Sequence, residues 1–558
     1  MSTTIKHAPT AERAKLRRHV GPVGLLFAAI GSIIGSGWLF GAYNASIIAG
    51  PVAIFSWIIA GAMIMLIGLC YAELGPMFPI SGGVIRFPHF VWGSFGSYSL
   101  GFITWIATAA VPAIEVEGAL TYATKYAPLT VRATASGVTV HVLTPIGVVV
   151  AVILLAIFVA LNYFGVRLFA QINNVLVWWK LFVIILVIVV FFITAFATTR
   201  MGTPANFTSH GFAPNGWVAI FTCISTAGIS FSFLGFRQGI ELAGETSNPK
   251  RNIPLAIIGS VGITAVIYAL LQIAFTLAVP THILAKSGSW AGLVFSNDAG
   301  PLAALASVAG LGWLAYILYF DAIISPTDTG LIYTTIAARV SYAMGRNGNS
   351  PKWLASNNRH GVPYWSLLVT FVVGVFLLLP FPSWQQLVGF ITSATVLSFG
   401  SGPLVVAVLR RQFPELKRPF ALPGKDIIPW LAFYSANLIV FWGGWDTNYK
   451  LFITILIGYV VLVLFQLVGK KTVRPPLDFR VAAIWVLPYL VAMALFSFFM
   501  DPSNHPALFG WAFLVNIVIT GGIYWLAVHF HLPKEKMQEY MADASGESQE
   551  DESLTQAP

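Results

Sequence analysis

The chain has 558 residues, of which 57% are hydrophobic and only 9% charged, and its mean hydropathy is +0.79. Soluble domains carry roughly 25% charged residues, so these values exclude an ordinary soluble enzyme and a disordered scaffold. The net charge of +10 does not indicate nucleic acid, because the basic residues lie in short loops between apolar runs, the pattern of a polytopic membrane protein.

A helix needs about 20 apolar residues to cross a hydrocarbon core of about 30 Å. Fourteen such stretches follow one another, at 21–43, 48–72, 92–124, 142–163, 172–198, 216–240, 254–280, 302–337, 363–380, 384–409, 428–446, 451–469, 481–500 and 507–529. The expected fold is therefore an all-α integral membrane protein in a lipid bilayer, with about 14 transmembrane helices. The first stretch contains Gly31-Ser32-Ile33-Ile34-Gly35-Ser36-Gly37 at mid-membrane. The sixth has Gly228, Gly235 and Gly239 among Ser225, Ser230 and Ser232. Glycine costs a helix interior about 1 kcal/mol relative to alanine, and it lets a backbone unwind or approach a neighbour. Interrupted spans at positions one and six fit two five-helix repeats of inverted topology around a central site. Freed N–H groups at such breaks suit a carboxylate and freed carbonyls an ammonium, so the site fits a zwitterion. Close packing through small residues is the competing explanation for each span alone.

Charged residues inside spans cost about 2.5–3.5 kcal/mol each on insertion scales and point to function by default. They are Glu115 and Glu117 in the third stretch, Lys180 in the fifth, Arg237 in the sixth, and Asp321 and Asp328 in the eighth. Structural ion pairing is the alternative for each. With the N-terminus inside, 24 of the 31 Lys and Arg fall on one side, including Lys250, Arg251, Arg339, Arg346, Arg410, Arg411, Lys470 and Lys471. Lys125, Arg132, Arg200, Lys286 and Lys450 fall on the other. This asymmetry places both termini in the cytoplasm, and the short loops without large extracellular domains fit a prokaryotic plasma (inner) membrane. Residues 1–20 read as a charged cytoplasmic tail and 532–558 as an acidic, disordered one. Between them lie a ten-helix transport core (21–409), helices 11–12 (428–469) and two additional helices (481–529).

Several motifs in fixed order carry a resemblance. These are GSIIGSGWLFGA, AGPVAIFSWIIAG, YAELGPMFPISGG, NYFGVRLFAQINNVLVWWK, ELAGETSNPKRNIPLAI and AARVSYAMGRNGNSPKWLA. Over residues 20–470 the chain resembles the amino acid–polyamine–organocation superfamily of secondary transporters. The resemblance implies the five-plus-five inverted repeat shared with many sodium-coupled transporters, and amino acids or related amines as substrates. It implies that the backbone at Ile33, Gly35, Ser36 and Gly37 holds the substrate carboxylate. Ser230, Phe231, Phe233 and Gly235 would then take the ammonium and shape the pocket, with Phe231 or Phe233 as a lid. It also puts Lys180 where sodium-coupled members bind their ion, with Asp328 or Asp321 as partner. Lys180 would be the proton-coupling group, since burial disfavours a charged ammonium and lets it exchange a proton. A permanent Lys–Asp bridge is the alternative.

Arg237 departs from the family pattern, in which an acidic residue often follows the Gly-Phe pair. It either pairs with Glu115 or Glu117 or contacts a second substrate carboxylate. The sequence has no phosphate-loop motif and no nucleophile–base pair, so neither ATP hydrolysis nor enzyme activity is expected, and no cofactor. The leading expectation is a proton-coupled amino-acid symporter working by alternating access. An amino-acid exchanger of the same fold or a non-transporting amino-acid sensor are the alternatives.

Overall fold

The computed structural model describes residues 20–80, 82–135, 138–164, 167–197, 203–295, 300–358, 362–381, 383–468, 478–501 and 504–553. The expected N-terminal tail up to residue 19, Arg200, Lys470 and Lys471 lie outside these residues. In chain order the helices are α1 (Pro22–Ile33), α2 (Gly37–Ala49), α3 (Ala53–Met77), α4 (Gly83–Ala123), α5 (Pro145–Tyr163), α6 (Arg167–Ala197) and α7 (Ala219–Thr226). Next come α8 (Phe231–Glu241), α9 (Pro249–Ala278), α10 (Thr281–Ser287), α11 (Pro301–Val308), α12 (Gly312–Arg346), α13 (Tyr364–Leu377) and α14 (Trp384–Phe399). The remainder are α15 (Ser401–Gln412), α16 (Ile427–Trp442), α17 (Trp445–Val468), α18 (Val486–Phe499), α19 (Phe509–His529) and α20 (Lys534–Ser553).

Helices lie on all fourteen expected stretches. By length and apolarity, 8 of the described segments can cross a membrane, or 9 when the bent pair α7–α8 is one span. One of the eight, Gly37–Met77, joins α2 and α3 through Gly50. α1, α13, α16 and α18 are apolar but shorter than a full crossing, and α12 is interrupted by Asp321 and Asp328. The protein is thus a helical, multi-span membrane protein. Its most buried spans are α4 and the continuous α14–α15 pair. α17 instead exposes Ile453, Leu456, Val460 and Leu464, side chains that only lipid can solvate favourably.

Two expectations are corrected. The third span begins at Gly83, not at 92; the early boundary reflects a kink at Gly93, where φ is 66°. Between α4 and α5 lies an antiparallel hairpin, β1 (Thr130–Ala135) with β2 (Val138–Leu143), paired from Thr130↔Leu143 to Ala135↔Val138. Its β-branched run alternates as a strand requires. The stretch expected as a disordered tail forms α20, because Met537, Met541 and Ala544 make an i, i+4, i+7 stripe that is buried. α20 packs on the start of α4, with the Tyr540 and His89 rings 4.5 Å apart and the Leu532 N–H donating to the Val91 carbonyl at 2.9 Å.

Candidate functional site

Both glycine-rich stretches are broken. α1 ends at Ile33 and α2 starts at Gly37, with Ile34 at φ −87°, ψ 84°. α7 and α8 meet at a bend of 50°, through Gly228 at φ +88°. The breaks touch each other: a side chain at Gly235 would overlap the backbone of Ser32 and Ile33, so glycine is what lets the two segments meet. Among the described residues the Ser32 and Ser230 hydroxyls, both buried here, have no hydrogen-bond partner. Such groups are costly to leave unpaired, which marks the junction as a place for a polar ligand. Of the two aromatic candidates, Phe231 lies against Gly37 and is half-buried. Phe233 is fully buried and turned away, onto Trp57 (6.0 Å) and Tyr268 (5.5 Å).

The N-terminal end of α2 already holds a carboxyl group. The Ser36 N–H donates to Glu115 Oε2 at 2.6 Å, with the positive end of the α2 dipole behind it. The other oxygen of Glu115 has no partner among the described residues. Glu117, two residues on, lies on another face of α4, buried, with neither carboxylate oxygen partnered among the described residues.

The break also frees carbonyls. Gly35 N–H turns to the Ile33 carbonyl (3.1 Å) and not to Gly31, whose carbonyl is left for others. Lys180 Nζ donates to it at 3.0 Å, donates to Thr329 Oγ1 at 3.0 Å, and pairs with Asp328 at 2.6 Å. Thr329 Oγ1 is within 3.2 Å of both the Gly31 and the Ile34 carbonyls. α6 and α12 are thereby tied to the end of α1 by a fully buried ion pair. Asp321 is not part of it. Two turns away on α12, it accepts from Trp179 Nε1 (2.9 Å) and Ser325 Oγ (2.8 Å).

Arg237 corrects the expected pairing. Its partner is Glu241 at 3.1 Å, four residues on along the same face, and neither Glu115 nor Glu117. It also donates to Thr108 Oγ1 (2.8 Å) and lies 5.6 Å from the Phe399 ring centroid. Thr108 precedes Glu115 by seven residues on α4, about 10 Å at the helical rise. The arginine therefore sits one layer below the breaks.

Three contributors escaped sequence reasoning. Thr329 follows Asp328 directly and was within reach of it. Tyr268 donates to the Ile33 carbonyl at 3.3 Å. Trp384, the first residue of α14, donates from Nε1 to Ser36 Oγ at 2.8 Å and stacks on Phe40 at 4.8 Å. No local pattern distinguishes it from the chain's other tryptophans.

Comparison with known proteins places these features in context. A family model described as "Amino acid permease" matches residues 20–523. A glutamate/serine transporter, AimA, of Bacillus subtilis (strain 168) is 36% identical over 95% of this chain and 96% of its own length. The aspartate-proton symporter of the same organism is 34% identical over 94% and 98%. Its branched-chain amino acid permease BcaP is 27% identical over 82% and 95%.

Proposed function

Since the chain belongs to the amino acid permease family, we propose that it is a proton-coupled amino-acid symporter, working by alternating access in a plasma membrane with both termini cytoplasmic. In this reading all fourteen helical stretches cross, with the shorter helices tilted or completed by neighbours, and the first ten form the five-plus-five inverted repeat. Acidic amino acids and serine are the first substrates to test, from the names of two of the relatives above, the glutamate/serine transporter and the aspartate-proton symporter.

The backbone around Ile33, Gly35, Ser36 and Gly37 takes the substrate carboxylate, and Glu115 yields the Ser36 N–H to it. Ser230, Phe231 and Gly235 receive the ammonium side, with Phe231 closing over it; Phe233 supports them from behind. Arg237 is already neutralised by Glu241, so it brings no uncompensated charge to the substrate. The observation that carries coupling is the buried Lys180–Asp328 pair on the Gly31 carbonyl. A proton moving onto or off that pair changes how tightly α6 and α12 grip the end of α1. One proton moving down about 100 mV supplies roughly 2.3 kcal/mol, enough to drive accumulation.

The test is uptake of labelled aspartate, glutamate and serine into proteoliposomes under an inward proton gradient, with an ionophore to collapse it. Gradient-dependent accumulation that disappears with the ionophore is the expected outcome. Uptake driven only by internal counter-substrate would make the protein an exchanger, and binding without uptake a sensor.

A further inference from the structure

A side chain from outside the two broken helices touches both breaks, and nothing in the broken segments' own sequences assigns it. Trp384 stands at the start of α14, at the opposite end of a 29-residue span from Arg410 and Arg411. Its indole N–H donates to Ser36 Oγ, on the first break. Its six-membered edge lies on Gly228 in the second break, where an added Cβ would come within 2.6 Å of Cη2. Its face stacks on Phe40, one turn into α2, with the planes 29° apart, and it meets the edge of Phe231 at 6.3 Å and 88°. The ring is 1% exposed.

From these contacts we infer that Trp384 is the roof of the site, and that it both gates access from the α2 side and limits the size of the substrate side chain. The inference rests on the transport reading above. A ligand held on the backbone of the two breaks has Lys180 and the Gly31 carbonyl behind the α1 end and the indole over the α2 end. To reach that position from the α2 side it must pass the line between Ser36 and Gly228, which the indole closes with one hydrogen bond and one edge contact. Opening costs one hydrogen bond and a ring stack, a modest barrier for a moving gate. The positive φ at Gly228 serves the same closure: any other residue there would be strained and would push the ring off. Phe231, which closes over the ammonium side, is the indole's edge-on neighbour.

A tryptophan that merely fills the core would affect stability without reordering substrates. The test is therefore a selectivity panel with the full chain in proteoliposomes, comparing kcat/KM for L-serine and L-phenylalanine. Trp384→Ala removes the roof, and the phenylalanine-to-serine ratio rises at least about tenfold, the scale on which pocket volume discriminates apolar side chains. Trp384→Phe keeps the ring and deletes the N–H. It raises KM for serine about two- to tenfold with the size ranking intact. Ser36→Ala does the same, and combining it with Trp384→Phe adds nothing further, because both remove one bond.

An unchanged ratio in a well-assembled Trp384→Ala protein overturns the inference. If that variant does not assemble, fully additive effects of Ser36→Ala and Trp384→Phe overturn it instead. A wild-type protein that moves no amino acid under any gradient or counter-substrate refutes the transport reading itself, an outcome visible before any variant is made.

Discussion

The broken-helix core and the outer helices α16–α19 bury polar groups in opposite ways. In the outer region the buried side chains on the helices are neutral and many join one another, although Asn448 Oδ1 and the Tyr524 hydroxyl have no partner among the described residues. Asn437 donates to Thr520 (3.0 Å) and accepts from the Tyr489 hydroxyl (2.8 Å). Asn448 donates to Ser497 (3.0 Å) and to the Val440 carbonyl (2.7 Å), and Asn516 donates to the Tyr434 carbonyl (3.1 Å). In the core the buried groups at the breaks include ionisable side chains and, among the described residues, hydroxyls without partners: Lys180 with Asp328, Glu115 with one unpartnered oxygen, Ser32 and Ser230. Neutral side-chain bonds between membrane helices contribute about 0.6 kcal/mol each on average and hold helices together. Charges in the same setting cost more than they return unless something is exchanged at them. The outer helices are glued, whereas the core is poised.

If that contrast is right, core and outer substitutions fail differently. The largest effect is expected at Lys180. Lys180→Gln leaves Asp328 as an uncompensated buried charge, which costs about 3–5 kcal/mol, and gradient-driven uptake falls at least about a hundredfold. The double variant Lys180→Gln with Asp328→Asn recovers thermal stability but not proton-driven accumulation. Recovery of both, by thermal unfolding and by uptake, would reduce the pair to a structural bridge. Next is Gly235→Ala, whose methyl has no room against Ser32 and Ile33. A loss of about 1–3 kcal/mol in stability and of nearly all transport is expected, read by thermal unfolding and uptake.

A smaller change with the opposite sign is expected at Glu115→Gln. The amide keeps an acceptor for the Ser36 N–H but binds it less strongly than a carboxylate, so the substrate meets a weaker competitor. The substrate KM should fall about threefold to tenfold, and a rise would show that Glu115 contacts the substrate favourably. The smallest functional effect belongs to the outer region. Asn437→Ala should cost about 1 kcal/mol of stability and leave the KM of the assembled protein unchanged. A KM shift there would erase the distinction between the two regions.

The same contrast explains what could be read from sequence. The fourteen helical stretches were legible because apolar runs of that length have one solution in lipid. The two breaks were legible because glycines cluster at 31–37 and 228–239. The Lys180–Asp328 contact came from the family resemblance, and the geometry has the two atoms 2.6 Å apart. The Arg237–Glu241 pair was visible as an i, i+4 spacing, but Glu241 falls just beyond the stretch taken as the sixth span. The hairpin and α20 carry ordinary two-residue and helical periodicities that a search for span-length apolar runs passes over. Glu115 on Ser36 and Trp384 across both breaks join residues 79 and 348 positions apart. No local pattern encodes such contacts, because they exist only once α4 and α14 have packed.

The docking of α20 on the first turns of α4 has a consequence for biosynthesis. Val91 and Trp92 are inserted early, yet their partners are the Leu532 N–H and the Ala527 carbonyl (3.0 Å), and His89 meets Tyr540. At about 5–20 residues per second, the ribosome needs roughly twenty seconds to a minute and a half to make the intervening chain. For that interval this end of α4 lacks its partners, so the bundle consolidates there only after its last helix has emerged, and a nascent chain stalled before residue 527 holds that end open.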